Sequence, residues 1–253
     1  MKKKLKINKN KIKKFSLKKQ ANITLANKKY HYNFINNLKN KKIDLKHLKS
    51  ISILVIKAGS KSFINIKNVK KKIKNNQIIL INNLDCCINL DDKKNMILIA
   101  GTKTNKNKKK NFDIFNLEKA YKVVKHWGYE LWINKRDKNF AFKKIFLKKG
   151  KKTSLQLHEK KQETNFLFKG NAYLHFLIKN KKLNEINLNK DIKKIKIKNP
   201  VTVNVDPETV HRIEAIDNLT LYEVSTPHLD DVIRLQDDIS RQSGLIISEH
   251  KNS

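Results

Sequence analysis

Apolar residues in this chain come in short runs, alternating or continuous, broken by Asn, Asp, Gly and Lys. ISILVIKAGS (51–60), NNQIILINNLDCCINL (75–90) and NMILIAGTKT (95–104) are β-branched runs of this kind in the first half. In the second half, FAFKKIFLKKG, TSLQLH, TNFLFKG, AYLHFLI, VTVNVD, HRIEAI and LTLYEVST follow one another closely between residues 140 and 226. Short runs with period two and turn residues between them predict antiparallel strands. No long stretch with helical period interrupts them. The pattern therefore predicts an all-β protein, built as a sandwich or a barrel. Residues 179–199, KNKKLNEINLNKDIKKIKIKN, read as a protruding hairpin or loop.

Texture also divides the chain. Residues 1–27 are a basic extension with weak periodicity, expected to fray or form a short helix. Residues 28–110 form a β-rich N-terminal domain that ends in the charged linker KTNKNKKKN (103–111). Residues 111–253 form a second β domain.

Charge changes this picture less than its size suggests. The chain of 253 residues carries net charge +36, with 58 basic residues against 22 acidic ones. Of the basic residues only Arg136, Arg212, Arg234 and Arg241 are arginine; the other 54 are lysine. Asn and Ile are abundant too, which is the pattern of AT-rich coding. Specific nucleic-acid recognition would favour arginine forks interleaved with aromatics, and neither is visible. The expectation is a solvated lysine surface with salt-sensitive adhesion to polyanions, and no specific nucleic-acid partner. Cys86 and Cys87 are adjacent and read as reduced core thiols. The basic N-terminus lacks an apolar signal core, and no run reaches membrane-spanning length, so no membrane partner and a cytoplasmic location are expected. One window resists the lysine bias: no lysine occurs from Asn199 to His250, yet three of the four arginines do. Chemical demand, an interface or plain burial would each exclude lysine there.

Candidate chemistry centres on GKKTSLQLHEKKQETNFLFKG (150–170). Gln156 and His158 are two apart and share one face of a strand. Glu163 follows after the turn EKKQ, and His211 comes after VTVNVD and a second turn. Closing a barrel would bring these four groups around one ion, a mixed N/O set suited to a divalent transition metal. The same residues also fit a polar hairpin with a structural histidine.

The spacing of Gly150, His158, Glu163 and Gly170 resembles the first motif of the cupin superfamily, with Gln156 at the first histidine position. Pro207 and His211 resemble the second motif, with a turn one residue shorter and Thr209 in place of glycine. KHWGYELWI, SLQLHEKKQE, PETVHRIEA and YEVSTPHLDDVIRLQDD together resemble the cupin domain of type II mannose-6-phosphate isomerases and related sugar-isomerase cupins such as lyxose isomerases. His126 and Ala215 depart from that pattern, where proline and asparagine are usual. The resemblance implies a C-terminal double-stranded β-helix, or jelly-roll. It implies one divalent metal (Zn, Mn, Fe, Co or Ni) held by Gln156, His158, Glu163 and His211. It also implies a homodimer, and a small sugar phosphate isomerised between aldose and ketose through a metal-stabilised enediolate. The N-terminal half would be a degenerate second cupin without ligands.

Such an isomerisation needs a base on a carbon-bound proton. Leu219, Leu221, Glu223 and Ser225 share one face of LTLYEVST, so inward leucines would carry Glu223 into the barrel. Pairing with Arg212 or Arg234 is the structural alternative for Glu223. Arg212, Arg234, Arg241 and Lys152 are candidates to clamp a phosphate, and Arg212 to assist the chemistry. Arg234 would alternatively pair with Asp230 or Asp231 on a C-terminal helix. Trp127 is a candidate wall of the sugar pocket, or core. Two further functions fit: a non-catalytic cupin that binds a sugar or nucleotide sugar, and another cupin enzyme such as a nucleotide-sugar epimerase.

Overall fold

A computed structural model describes residues 12–15, 21–25, 29–91, 94–135, 137–177, 185–239, 241 and 243–246. It is nearly all β, and its strands fall into two compact units. One comprises residues 16–121 and 132–143; the other comprises residues 1–15, 122–131 and 144–253. The strand Asn111–Asn116 pairs with Gln77–Asn82, so the first unit runs past the linker to Tyr121.

The first unit pairs a six-stranded with a four-stranded antiparallel sheet. The larger has the order Asn111–Asn116, Gln77–Asn82, Ser50–Lys57, Met96–Thr102, His31–Asn36, Ala21–Thr24. The smaller has the order Lys42–Asp44, Cys86–Asn89, Phe63–Ile66, Val69–Lys72. Period two decides what each face buries. Ile53 lies between Ile79 and Ile99, and Ile51 faces Ile81, so isoleucines stack on one side. They meet Ile64, Ile66, Cys86 and Ile88 of the smaller sheet in one aliphatic core. That interior is filled by hydrocarbon. Cys86 and Cys87 are buried free thiols, as the sequence leads one to expect.

The second unit also faces two sheets. A seven-stranded sheet has the order Ile12–Lys14, Val201–Val205, Glu163–Lys169, Leu219–Ser225, Ala141–Leu147, Gly128–Trp132, Tyr121–Lys125. A six-stranded sheet has the order Ile192–Ile197, Ala172–Leu177, His211–Ala215, Leu155–His158, Val232–Gln236, Gly244–Ile246. Rungs across the first sheet show how the interior is sorted. Leu167 lies between Val201 and Leu221, Asn165 between Val203 and Glu223, and Glu163 between Val205 and Ser225. The interior is thus aliphatic at one end, where Trp127, Leu147, Leu174, Ile213 and Leu219 join the cluster, and polar at the other.

Three local expectations change. Within 179–199, Ile192–Ile197 is an edge strand paired along its length with Ala172–Leu177, while residues 178–184 lie outside the described residues. Its lysines face solvent, a device that keeps an edge strand from pairing with another chain. Within 1–27 the described parts are strands: Ile12–Lys14 pairs with Val201–Val203, and Ala21–Thr24 with Asn33–Asn36. The rest of that extension lies outside the described residues. The C-terminal helix anticipated around Arg234 is the strand Val232–Gln236. Among the described residues, no helix is long and apolar enough to cross a membrane.

Candidate metal centre

The polar end of the second unit's interior gathers three elements. Leu155–His158 contributes Gln156 and His158, Glu163 opens the strand Glu163–Lys169, and His211 opens His211–Ala215. The Cα of Gln156 pairs with that of His211, which puts both side chains on the same side of the sheet. His158, Glu163 and His211 are all buried, and one ligand atom from each lies within 4.8 Å of the others. The two imidazole rings stand 5.8 Å apart, centroid to centroid.

Hydrogen bonds fix the orientation of both rings. Nδ1 of His211 lies 2.9 Å from the carbonyl oxygen of Thr209. A carbonyl only accepts, so Nδ1 carries a proton, and in the neutral ring Nε2 offers its lone pair. Nδ1 of His158 donates in the same way to Oδ1 of Asp231, 3.0 Å away. Both Nε2 atoms then face one carboxylate: His158 Nε2 is 3.1 Å from Glu163 Oε1 and His211 Nε2 is 3.4 Å from Oε2. In the neutral rings two lone pairs would be aimed at a buried carboxylate, so the arrangement favours either a proton on Nε2 or a cation among them. Gln156 places its amide 3.4 Å from His158 Nε2, and turning the amide over presents its oxygen to the same spot. Ser225, opposite Glu163, keeps a buried hydroxyl with no hydrogen-bond partner among the described residues. Two oriented imidazoles, a carboxylate and an amide oxygen fit a divalent cation.

Positive charge is already present in the form of Lys161. Its ammonium lies 2.5 Å from Glu163 Oε1 and 3.1 Å from Glu223 Oε1, and its side chain is 4% exposed. Burial would lower its pKa, but the two carboxylates outweigh burial and raise it. Burial would likewise raise the Glu163 carboxyl, but the Lys161 charge and hydrogen bonds from both histidines hold it well below the usual range. For His158, burial and Lys161 press the pKa down, and the hydrogen bonds to Asp231 and Glu163 outweigh them to raise it. Asp231 is held low: burial opposes this, while His158 and the amides of Lys160 and Lys161, both 2.7 Å from Oδ2, prevail.

The structure brings some predicted residues together and separates others. Gln156, His158, Glu163 and His211 converge. Glu223 points inward beside them, as strand alternation requires, and its partner is Lys161 and not an arginine. Arg234 pairs in register with Gln156 and is buried on that side of the sheet, its Nε 3.6 Å from Asp237. Arg212 follows His211 on the opposite side. Its guanidinium donates to the carbonyls of Thr153 and Gln236 and pairs with Asp238, so it braces the C-terminal segment away from the centre. Lys152 also pairs with Asp238, 3.5 Å away. Arg241 grips Asp237 and the Ser154 hydroxyl. Trp127 is core, packed with the aliphatic end of the barrel.

Two participants escaped the sequence reading. Lys161 lies in the turn EKKQ among lysines that otherwise face water, and only its spacing of two from Glu163 sets it apart. Asp231 reads as an arginine partner but anchors His158 from 73 positions away in the chain.

The sequence matches no family model and no curated protein sequence. Solved structures do match. A mutant of Bacillus subtilis oxalate decarboxylase superposes with a TM-score of 0.61 at 10% identity, covering 87% of this chain and 78% of that one. The formate complex of Lactobacillus farciminis oxalate decarboxylase gives 0.58 at 10% identity, covering 81% and 79%. Vicilin from Solanum lycopersicum gives 0.56 at 11% identity, covering 82% and 77%. A further match, again oxalate decarboxylase from Bacillus subtilis, is described as having Mn(II) centres. At such identities the likeness establishes the fold alone: the chain has an all-β, jelly-roll fold of the kind seen in those proteins.

Proposed function

We propose that the second unit is a metal-dependent cupin enzyme that isomerises a small sugar phosphate between aldose and ketose forms, in the manner of mannose-6-phosphate isomerases. The observation that carries the reading is the convergence of His158, His211 and Glu163 ligand atoms within 4.8 Å, with the Glu223 carboxylate bound to the same lysine as Glu163. The Mn(II) centres of the Bacillus subtilis neighbour make a divalent ion a reasonable occupant of a cupin interior. His158, His211, Glu163 and Gln156 would hold the ion, which when bound supplies electrophilic polarisation of a substrate carbonyl. The chain's own residues do the rest. Glu223 removes the proton from the hydroxyl-bearing carbon beside the carbonyl and returns it to the former carbonyl carbon, while the hydroxyl proton passes to the former carbonyl oxygen, so no proton is gained or lost overall. Lys161 holds that carboxylate in place through its 3.1 Å contact. Asp231 holds the His158 ring so that Nε2 faces inward. The aliphatic end of the barrel packs behind the site. Arg234, buried beside Gln156, is the candidate to receive the phosphate.

The test is metal content by elemental analysis of wild type and His158→Ala, with mannose 6-phosphate and fructose 6-phosphate interconversion assayed on the same samples. Wild type is expected to hold near-stoichiometric metal and turn over, and His158→Ala to lose both. Glu223→Gln should keep the metal and lose turnover. Metal without turnover in the wild type would refute the isomerase.

A second reading has its own support. Arg212, Lys152, Arg234 and Arg241, the cations expected to clamp a phosphate, each face Asp237 or Asp238. A cupin that binds a sugar without converting it needs fewer, and sugar binding without turnover would favour it.

A further inference from the structure

The ammonium of Lys161 lies against Glu163 Oε1, an oxygen of the candidate ligand set, and against Glu223 Oε1. Its backbone N–H donates a hydrogen bond to Asp231 Oδ2, and its side chain turns inward to two carboxylates. Glu163 Oε1, which takes the 2.5 Å contact, is also the oxygen facing His158 Nε2. Without Lys161, Glu163 and Glu223 would be buried with no fixed positive charge between them. Removing one partner of a buried ion pair is strongly destabilising, because the charge left behind has lost both water and its counter-ion. An arriving divalent ion would satisfy the same oxygen, and Lys161 would have to yield it or share it.

We infer that Lys161 is a built-in counter-cation: it keeps the site assembled when no divalent ion is bound, and it competes with that ion for Glu163, so that it sets the affinity for metal. The inference rests on the metal-binding reading above and adds a regulator to it. It runs opposite to the usual outer partner of a metal ligand, whose loss weakens binding. Here the loss raises the free energy of the metal-free state, and binding tightens.

The experiment compares wild type with Lys161→Met, which keeps the length of the side chain without its charge, and with Lys161→Gln, which keeps a donor. Dissociation constants for Zn²⁺ and Mn²⁺ are measured by chelator competition at one fixed pH, and melting temperatures with and without saturating metal. Both variants should bind metal about 10- to 100-fold more tightly, the span over which partners of metal ligands usually act. Their metal-free forms should melt lower than wild type, and saturating metal should raise their melting temperature by more. Wild-type affinity, or weaker, in a variant that still folds would overturn the competition while leaving the metal site in place. Should Lys161→Met fold only with metal, Lys161→Gln supplies the affinity. No uptake by wild type or variants would overturn the metal site itself, and the competition with it.

Discussion

Replacing Asp231 by Asn separates two roles that one carboxylate performs. Oδ1 accepts from His158 Nδ1 at 3.0 Å, and Oδ2 accepts from the amides of Lys160 and Lys161 at 2.7 Å each. An Asn has one acceptor oxygen. Turned to serve the two amides, it presents an NH₂ to His158, and a donor there forces Nδ1 to become the acceptor. The imidazole proton then moves to Nε2, where a metal ligand needs a lone pair. Three charge-assisted hydrogen bonds become neutral ones or are replaced. With each charged bond contributing about 1 kcal/mol more than a neutral one, the stability loss is about 2 to 3 kcal/mol. For a chain of this size that lowers the melting temperature by roughly 4 to 12 °C. Asp231→Ala leaves two amides without that partner and costs more stability, but it leaves the ring free to choose its tautomer. The expected order is therefore inverted between assays. Asp231→Ala should melt lower, while Asp231→Asn should lose at least as much metal affinity, about 10- to 100-fold. Chelator competition and thermal melting on the same preparations read both quantities. If Asp231→Asn binds metal as well as wild type, or clearly better than Asp231→Ala, the tautomer argument is wrong.

Other outcomes follow from the same structure. Glu163→Gln should abolish metal uptake and also remove one of the two carboxylates that hold Lys161, so its metal-free form should be less stable than wild type by thermal melting. Gly170 has φ +84°, and a Cβ there would meet the Asn218 carbonyl oxygen at 2.6 Å, whereas at Gly150, with φ +75°, nothing lies within 4 Å. Gly150→Ala should cost about 1 kcal/mol for the left-handed backbone alone, and Gly170→Ala distinctly more; equal chemical-denaturation midpoints would contradict this. Burial would raise the Asp237 carboxyl, but Arg241, the Ile239 amide and Ser154 hold it far below the ordinary range. A carboxyl depressed on folding contributes stability above its unfolded pKa of about 3.9, and that contribution fades as pH falls below it. Asp237→Asn should accordingly melt lower than wild type at neutral pH and show a smaller further drop at acid pH.

Period two told most of the fold from the sequence. Each apolar run at 51–60, 75–90, 95–104 and 201–226 contains a strand, because alternation on a half-buried sheet leaves little choice of face. The same rule carried Glu223 inward with Leu219 and Leu221, and set Gln156 and His158 on one side. Lysine-rich strands such as Ile192–Ile197 were harder to read, since their sequence bias hides the alternation and only pairing with Ala172–Leu177 reveals it. Within the lysine-free window, Arg212, Arg234 and Arg241 form a network with Asp237 and Asp238, where a planar guanidinium offers several fixed donors and a lysine only a point charge.

The convergence of Gln156, His158 and Glu163 was legible because their spacing is a local property of two strands and a turn, whereas His211 joins them through strand pairing. What else the centre contains was not. Asp231 reaches His158 across 73 positions, and Lys161 is one lysine of 54 until the barrel closes around it. Residue type and spacing specify which groups face the interior. Which charges end up in contact there, and hence which proton or cation each one holds, depends on distances and burial that exist only once both sheets are assembled.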